Sequence, residues 1–356
     1  MPDDYTAPLA SRIVDIATTL IADARHLPSD TAALTLADKV LRDLQRLVED
    51  CRAPSSADRV FLLRELAAEV TADLERRVAA AAGNQGVCGL RTGMRLLDSQ
   101  LNGWEPGRVY MLGAASNSGK TTLALQWASY VAGQGKRALY ISLENSRRDL
   151  RIKDICRTGH LSYQKYLHGA VDPAEWDRAS ARVDAQVGDR LAVYCPDSLA
   201  RPLATVMEEA MQRMAGKPDF VVVDYLQKAA TGLVGSVADD ERQAIGRYVA
   251  SIRQVAQQYE CAVLAISSLN RASKETANKG SRTADLGAYM GSSAIEYGTD
   301  VAMLLFDETD TSDQAQMQSP LKHLRLKIVK NREGKASGAM PLEMYGDYCF
   351  FQEAER

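Results

Sequence analysis

Lys120, Thr121, Thr122, Glu144 and Asp224 are the residues of this chain whose types and spacing could do chemistry together. The stretch Arg108–Thr122 reads RVYMLGAASNSGKTT. Its small residues Ala114, Ala115, Ser116, Asn117, Ser118 and Gly119 lead into Lys120-Thr121-Thr122. A small-residue turn between a strand and a helix leaves backbone N–H groups unpaired at the helix start, where they and the helix dipole capture an anion. Lys120 adds a point charge suited to the β- and γ-phosphates of ATP, and Thr121 a hydroxyl suited to Mg²⁺. The first motif position holds Ala114, with the glycine one place earlier at Gly113. A turn without a ligand is the plainer alternative, and the GKTT in its strand-and-helix setting weighs against it.

Two further acids end apolar runs. Phe220–Asp224 reads FVVVD, and ligands of open α/β sheets bind at the carboxyl ends of strands, so Asp224 is placed to hold Mg²⁺ opposite Thr121. Ala138–Glu144 reads ALYISLE. A carboxylate at that end could polarise the water that attacks the γ-phosphate. Glu144 could equally belong to the cap of a helix, since Ser146-Arg147-Arg148-Asp149 follows.

These residues need elements to hold them. Val109–Leu112, Ala138–Leu143, Leu191–Tyr194, Phe220–Val223, Ala262–Ile266, Val301–Leu305 and Leu324–Val329 read as short apolar strands, with Gly113 closing the first. Helices are expected at about Thr121–Ala132, Pro202–Ala215 and Arg242–Tyr259. The alternation predicts an α/β fold with a mainly parallel sheet, closed by a hairpin of Leu342–Met344 and Tyr348–Phe351. From Ser11 to Ala82 the apolar spacing is helical throughout, in three sets; the last (Leu63, Leu66, Ala67, Val70, Leu74, Val78) follows a capping pattern of Ser55 and Asp58. Gly83-Asn84-Gln85-Gly86 is the natural linker, so residues 1–85 are expected to form a small all-α domain and 86–356 the α/β domain.

Composition sets outer bounds. The chain has 356 residues, 46% hydrophobic and 25% charged, with net charge −3. That is room for one large and one small domain, and it carries no global basic signal for nucleic acid. The six cysteines include no CxxC pair, which favours reduced core thiols over a disulfide framework or a zinc site. No apolar run is long enough to span a membrane, and the start MPDDYTAP lacks signal-peptide character, so a cytoplasmic location is expected. Arg271–Gly291 is polar, glycine-bearing and locally basic through Lys274, Lys279 and Arg282. Such a loop could track a phosphate backbone or simply be a solvated surface.

The order of motifs is similar to the RecA-like motor domain at the C-terminal end of the DnaB family of replicative helicases. The matching stretches are TGMRLLD (Thr92–Asp98), GAASNSGKTT, YISLENS (Tyr140–Ser146), VVVDYLQ (Val221–Gln227), AISSLNR (Ala265–Arg271), SSAIEYGTD (Ser292–Asp300) and KNREGKASG (Lys330–Gly338). The resemblance covers Thr92 to the C-terminus, and VDYLQ, SLE and KNRxG together make it specific. It implies an ATP-hydrolysing DNA helicase: a homo-oligomeric ring, expected hexameric, that moves 5′ to 3′ on single-stranded DNA and unwinds forked duplex. Primase or a helicase loader is the implied partner. It gives Glu144 the role of activating water, and sends Lys330 and Arg332 into the next subunit's ATP site, Arg332 as arginine finger. It places DNA-contacting loops in the Arg271–Gly291 region, with Lys274, Lys279, Arg282, Gly291 and Ser292 as candidates. Two departures stand out. Ser267-Ser268-Leu269 replaces the family's Ser-Gln-Leu, whose glutamine senses the γ-phosphate, and the segment before Ala294 lacks the usual acidic-basic pattern. The shortened Ser268 favours an alternative class, a recombinase- or clock-like RecA relative that assembles on DNA or partners without unwinding. VDYLQ and KNREG fit the helicase better.

Overall fold

The computed structural model describes residues 60–115, 117–197, 201–226, 228–229, 241–268, 298–307, 321–334 and 338–354, with Leu36 and Val40. The chain divides into two units, Met1–Leu74 and Glu75–Arg356. Of the three helical sets expected before residue 85, the third is described. A turn of 3₁₀ helix at Leu63–Leu66 runs into α1 (Ala67–Gly83). Its start is capped by Glu65, whose carboxylate accepts the Leu62 N–H at 3.0 Å. Leu63, Val70 and Leu74 stand exposed on it. Apart from Val40, which is helical, the first two sets and the Ser55–Asp58 cap lie outside the described residues.

In the second unit the elements alternate as expected: α2 (Arg95–Leu101), β1 (Val109–Ala114), α3 (Lys120–Gly133), β2 (Ala138–Ser142), α4 (Arg147–Gly159), α5 (Tyr163–Leu167), α6 (Pro173–Val187), β3 (Leu191–Tyr194), α7 (Leu203–Arg213), β4 (Phe220–Asp224), α8 (Glu241–Gln258), β5 (Ala262–Ser268), β6 (Val301–Asp307), β7 (Leu321–Asn331), β8 (Met340–Tyr345) and β9 (Phe350–Glu353). One nine-stranded sheet has the order β3-β2-β4-β5-β1-β6-β7-β8-β9. Strands β1 to β6 pair in parallel, and β7, β8 and β9 extend the sheet antiparallel. The expected terminal hairpin is β8 and β9.

Burial explains the two kinds of strand. Every residue of β1, β2 and β4 is buried, as a parallel strand covered on both faces requires. Along β7, buried and partly exposed residues alternate from Leu324 to Ile328, the pattern of a sheet packed on one side. Alternate side chains feed two cores. Val109, Met111, Ile141 and Val223 pack under α7 and α8. Tyr110, Leu112, Tyr140 and Val222 pack under α3. Trp104 anchors the second core: its ring lies edge-on to Tyr110 at 4.8 Å and to Trp127 of α3 at 5.1 Å, and is stacked on Phe220 at 5.1 Å. These contacts pin α3 to the starts of β1 and β4. Cys156, Cys261 and Cys349 are free and buried, and burial pushes their thiols up to about 12, 12 and 11.

Several boundaries differ from the sequence reading. β1 runs through Gly113 to Ala114, because both residues still pair with Ser267 and Ser268 of β5 and with Leu304 and Leu305 of β6. β7 is longer than expected at both ends and takes in Lys330 and Asn331. Helices α2, α4, α5 and α6 add to the three expected. α6 carries a readable start, an Asp172 cap accepting from Ala174 N–H with Pro173 in the first turn.

Candidate phosphate site

The P-loop leaves the carboxyl end of β1 and enters α3. Gly119 caps the helix in a left-handed conformation, φ +84°, where a side chain is strained. There is also no room for one: a Cβ would meet Phe351 Cζ at 2.7 Å and Met344 Sδ at 2.8 Å. Lacking a side chain, Gly119 leaves the first-turn N–H groups of α3 for an anion. The loop closes on itself through Ser118 Oγ, which donates to the Ala115 carbonyl at 2.5 Å. Lys120 Nζ spans the loop mouth, donating to the carbonyls of Ala114 and Ala115 at 3.0 and 2.6 Å. Of the expected loop residues, Ala114, Ala115, Asn117, Ser118, Gly119, Lys120, Thr121 and Thr122 are brought together, and Ser116 lies outside the described residues.

Asp224 ends β4 two strands away, and the sheet order brings it opposite Thr121. Thr121 Oγ1 donates to Asp224 Oδ2 at 2.8 Å. Tyr140 OH, from β2, donates to the same oxygen at 2.9 Å. The sequence reading missed Tyr140; its alternation with Leu139 and Ile141 puts it on the opposite face of β2 from them, the α3 face, which is the signal that could have found it. Asp224 is 1% exposed. Burial raises its carboxyl above the usual carboxylate range, against the pull of the Thr121 and Tyr140 hydrogen bonds. Burial also raises the Tyr140 phenol, and the Asp224 charge adds to it. Asp224 Oδ1 is buried with no hydrogen-bond partner among the described residues. An orphaned carboxylate oxygen beside a threonine hydroxyl is a donor set that fits a hard divalent cation such as Mg²⁺.

Glu144 is exposed just beyond β2. Its backbone is bracketed. Leu143 N–H donates to Asp224 O at 2.7 Å, and Lys228 Nζ donates to the Leu143 carbonyl. Ser142 Oγ both donates to Asn145 O at 2.9 Å and accepts Asn145 N–H at 3.0 Å. The cap of α4 is made by others: Ser146 Oγ accepts Asp149 N–H at 3.1 Å, and Asp149 Oδ2 accepts Ser146 N–H at 3.3 Å. Glu144 therefore is not spent on the helix start, and its charge is felt at Asp224.

Lys330 and Arg332 sit elsewhere. Lys330 Nζ donates to Thr299 O at 2.7 Å, and Arg332 Nη1 to Asp300 Oδ1 at 3.2 Å. Asp300 in turn accepts the N–H of Val109, the first residue of β1. Arg332 thus lies at the amino end of β1, while the P-loop lies at its carboxyl end, about 17 Å away at the usual rise per residue. The structure does not bring Arg332 to the phosphate site of its own chain. Lys274, Lys279, Arg282, Gly291 and Ser292 lie outside the described residues, as does the Ser268 side chain.

Residues 89–353 match the family model described as the DnaB-like helicase C terminal domain. The chain belongs to this DnaB-like family. A curated relative, the replicative DNA helicase DnaB of Leifsonia xyli subsp. xyli, is 27% identical over 244 residues, covering 67% of this chain and 51% of the relative. This DnaB-like chain thus matches about half the length of that curated relative. Two solved structures share the fold. One, described as an ATPase domain, has a TM-score of 0.69 at 18% identity, covering 83% of this chain and all (100%) of that one. A DnaB-like replicative helicase, described with its interactions with primase, has a TM-score of 0.66 at 18% identity, covering 98% of this chain and 77% of that one. Both likenesses support the RecA-like ATPase fold of this DnaB-like chain.

Proposed function

We propose that the chain is an ATP-dependent DNA helicase motor: a ring of identical subunits, hexameric as in its family, that moves 5′ to 3′ on single-stranded DNA and unwinds forked duplex during replication in the cytoplasm. Residues 86–356 form the motor, and residues 1–85 a helical domain for oligomerisation or partner binding. The carrying observation is that the reacting groups are divided between two edges of one sheet. Thr121, Asp224 and Glu144 stand at the carboxyl edge, and Arg332 at the amino edge. A complete site then takes one edge from each of two neighbouring copies, the arrangement of a heterologous ring.

In this reading the N–H groups of the P-loop and Lys120 bind the phosphates. Mg²⁺, when bound, neutralises charge that develops on the β- and γ-phosphates. Thr121 and Asp224 are the residues that would hold it. Glu144 takes a proton from the attacking water, and Arg332 from the neighbour stabilises the charge on the transferred group. Lys274, Lys279, Arg282, Gly291 and Ser292 contact the DNA strand. A primase-type partner is supported by the solved helicase described together with primase.

The test is ATP hydrolysis with and without single-stranded DNA, alongside strand displacement from a 5′-tailed fork. The reading expects DNA-stimulated hydrolysis and displacement that needs the 5′ tail. Hydrolysis with no displacement, whether or not DNA stimulates it, would support the recombinase- or clock-like alternative that Ser268 favours.

A further inference from the structure

Asp300 lies where three segments meet: the start of β1, the entry to β6 and the end of β7. Its Oδ2 accepts Val109 N–H at 2.9 Å. Its Oδ1 accepts from Arg253 Nη2 of α8 at 2.9 Å and from Arg332 Nη1 at 3.2 Å. The backbone repeats the junction. Asp300 N–H donates to Val109 O at 2.8 Å, and Arg332 N–H donates to Asp300 O at 2.9 Å. Around it, Arg253 Nη1 donates to Gly298 O at 3.0 Å and Lys330 Nζ to Thr299 O at 2.7 Å. Asp300 is 7% exposed, whereas the Arg332 side chain is 45% exposed.

An arginine side chain that is half in water loses much rotamer freedom when it is held in one orientation. Its guanidinium has five donors in a planar fork, so one edge can be held while another meets an anion. Asp300 supplies the hold. Its own position is set by Val109, in a fully buried strand of the sheet, and by Arg253 on the helix packed over that strand. Two cations share one buried acid, so neither takes the whole of its charge.

We propose that Asp300 is the positioning residue that aims Arg332 outward from the amino edge of the sheet, toward the phosphate site of a neighbouring copy. This rests on the shared-site reading above. It adds a residue that touches neither nucleotide nor metal and acts through Arg332.

Subunit mixing separates the two ideas. Arg332→Ala and Glu144→Gln proteins are each expected to hydrolyse ATP poorly. Mixed in equal amounts with exchange demonstrated, about one interface in four has both groups intact in a ring of head-to-tail contacts, and hydrolysis partly returns. No return in that control overturns the shared-site reading and with it the proposal. Given a positive control, Asp300→Asn alone should lose about tenfold or more in kcat, with KM for ATP within about twofold. It should regain hydrolysis with Glu144→Gln and gain nothing with Arg332→Ala. Recovery with Arg332→Ala would mean that the Asp300→Asn finger still works. No recovery with Glu144→Gln would mean that Asp300→Asn damages its own phosphate site through β1, a purely structural role. An unchanged kcat overturns the proposal as well. Should Asp300→Asn fail to fold, Arg253→Gln leaves both acid and finger in place and carries the same test. It should lose part of kcat and recover with Glu144→Gln only; wild-type kcat, or recovery with Arg332→Ala, sinks the idea.

Discussion

Asp224 is a carboxyl group taken out of water, with one oxygen satisfied by Thr121 and Tyr140 and the other without a partner among the described residues. Its folded-state pKa is raised by burial, so the folded chain holds that proton more tightly than the unfolded one. Below the unfolded carboxylate range both states are protonated and there is no cost; the cost of ionising this buried carboxyl grows as pH rises from that range through the raised folded value, and is complete above it. Asp224→Asn removes the charge and keeps an acceptor for Thr121 and Tyr140. The variant without nucleotide should melt at or above the wild-type temperature at pH 7. The stabilisation given by Mg²⁺ with ATP should shrink, and hydrolysis should fall on the order of 10- to 100-fold. Thermal melts with and without Mg²⁺ and ATP check this. A variant that melts lower alone yet keeps the full Mg²⁺-dependent shift would remove Asp224 from the metal site.

At the scale of the element, the P-loop is shaped by what lies behind it as much as by its own residues. Phe351 and Met344, from the terminal hairpin, occupy the space a side chain at position 119 would need. Gln126 of α3 locks the same hairpin, with Nε2 donating to Phe351 O at 2.8 Å and Oε1 accepting Phe351 N–H at 2.9 Å. Gly119→Ala combines a left-handed residue with a steric conflict and should cost about 1–2 kcal/mol. Chemical denaturation measures that cost, and a nucleotide titration should show weaker ATP binding, because the first-turn N–H groups are displaced. Unchanged stability and affinity would mean that the hairpin yields freely and does not shape the loop.

At the scale of the whole molecule, the proposed function requires a path for DNA. Net charge −3 gives no generally basic surface, so under that proposal DNA would be held by a local set of cations. Neutralising Lys274, Lys279 or Arg282 should weaken single-strand binding regardless of sequence. Each lost phosphate contact should lower the slope of log affinity against log salt by about 0.7. Fluorescence anisotropy across a salt series reads this, and an unchanged slope for all three variants returns the loop to an ordinary solvated surface.

What the sequence determined by itself was local and periodic. GKTT after an apolar run marked the candidate phosphate loop, FVVVD marked the acid that meets Thr121, and alternating strands and helices named an α/β fold. Each is a matter of spacing along the chain, where backbone propensity and side-chain period act directly. Tertiary structure decided what depends on strand order. Tyr140 is a plain apolar-strand tyrosine until β2 and β4 become neighbours and its hydroxyl meets Asp224. Glu144 could have been a cap until Ser146 and Asp149 were seen to cap α4 between themselves. Arg332 reads as a basic turn residue until antiparallel pairing of β7 with β6 carries it to the amino edge, beside Asp300 and far from its own P-loop. Sheet order and strand direction are set by burying two faces of one sheet at once, a global condition that no single stretch of the chain contains.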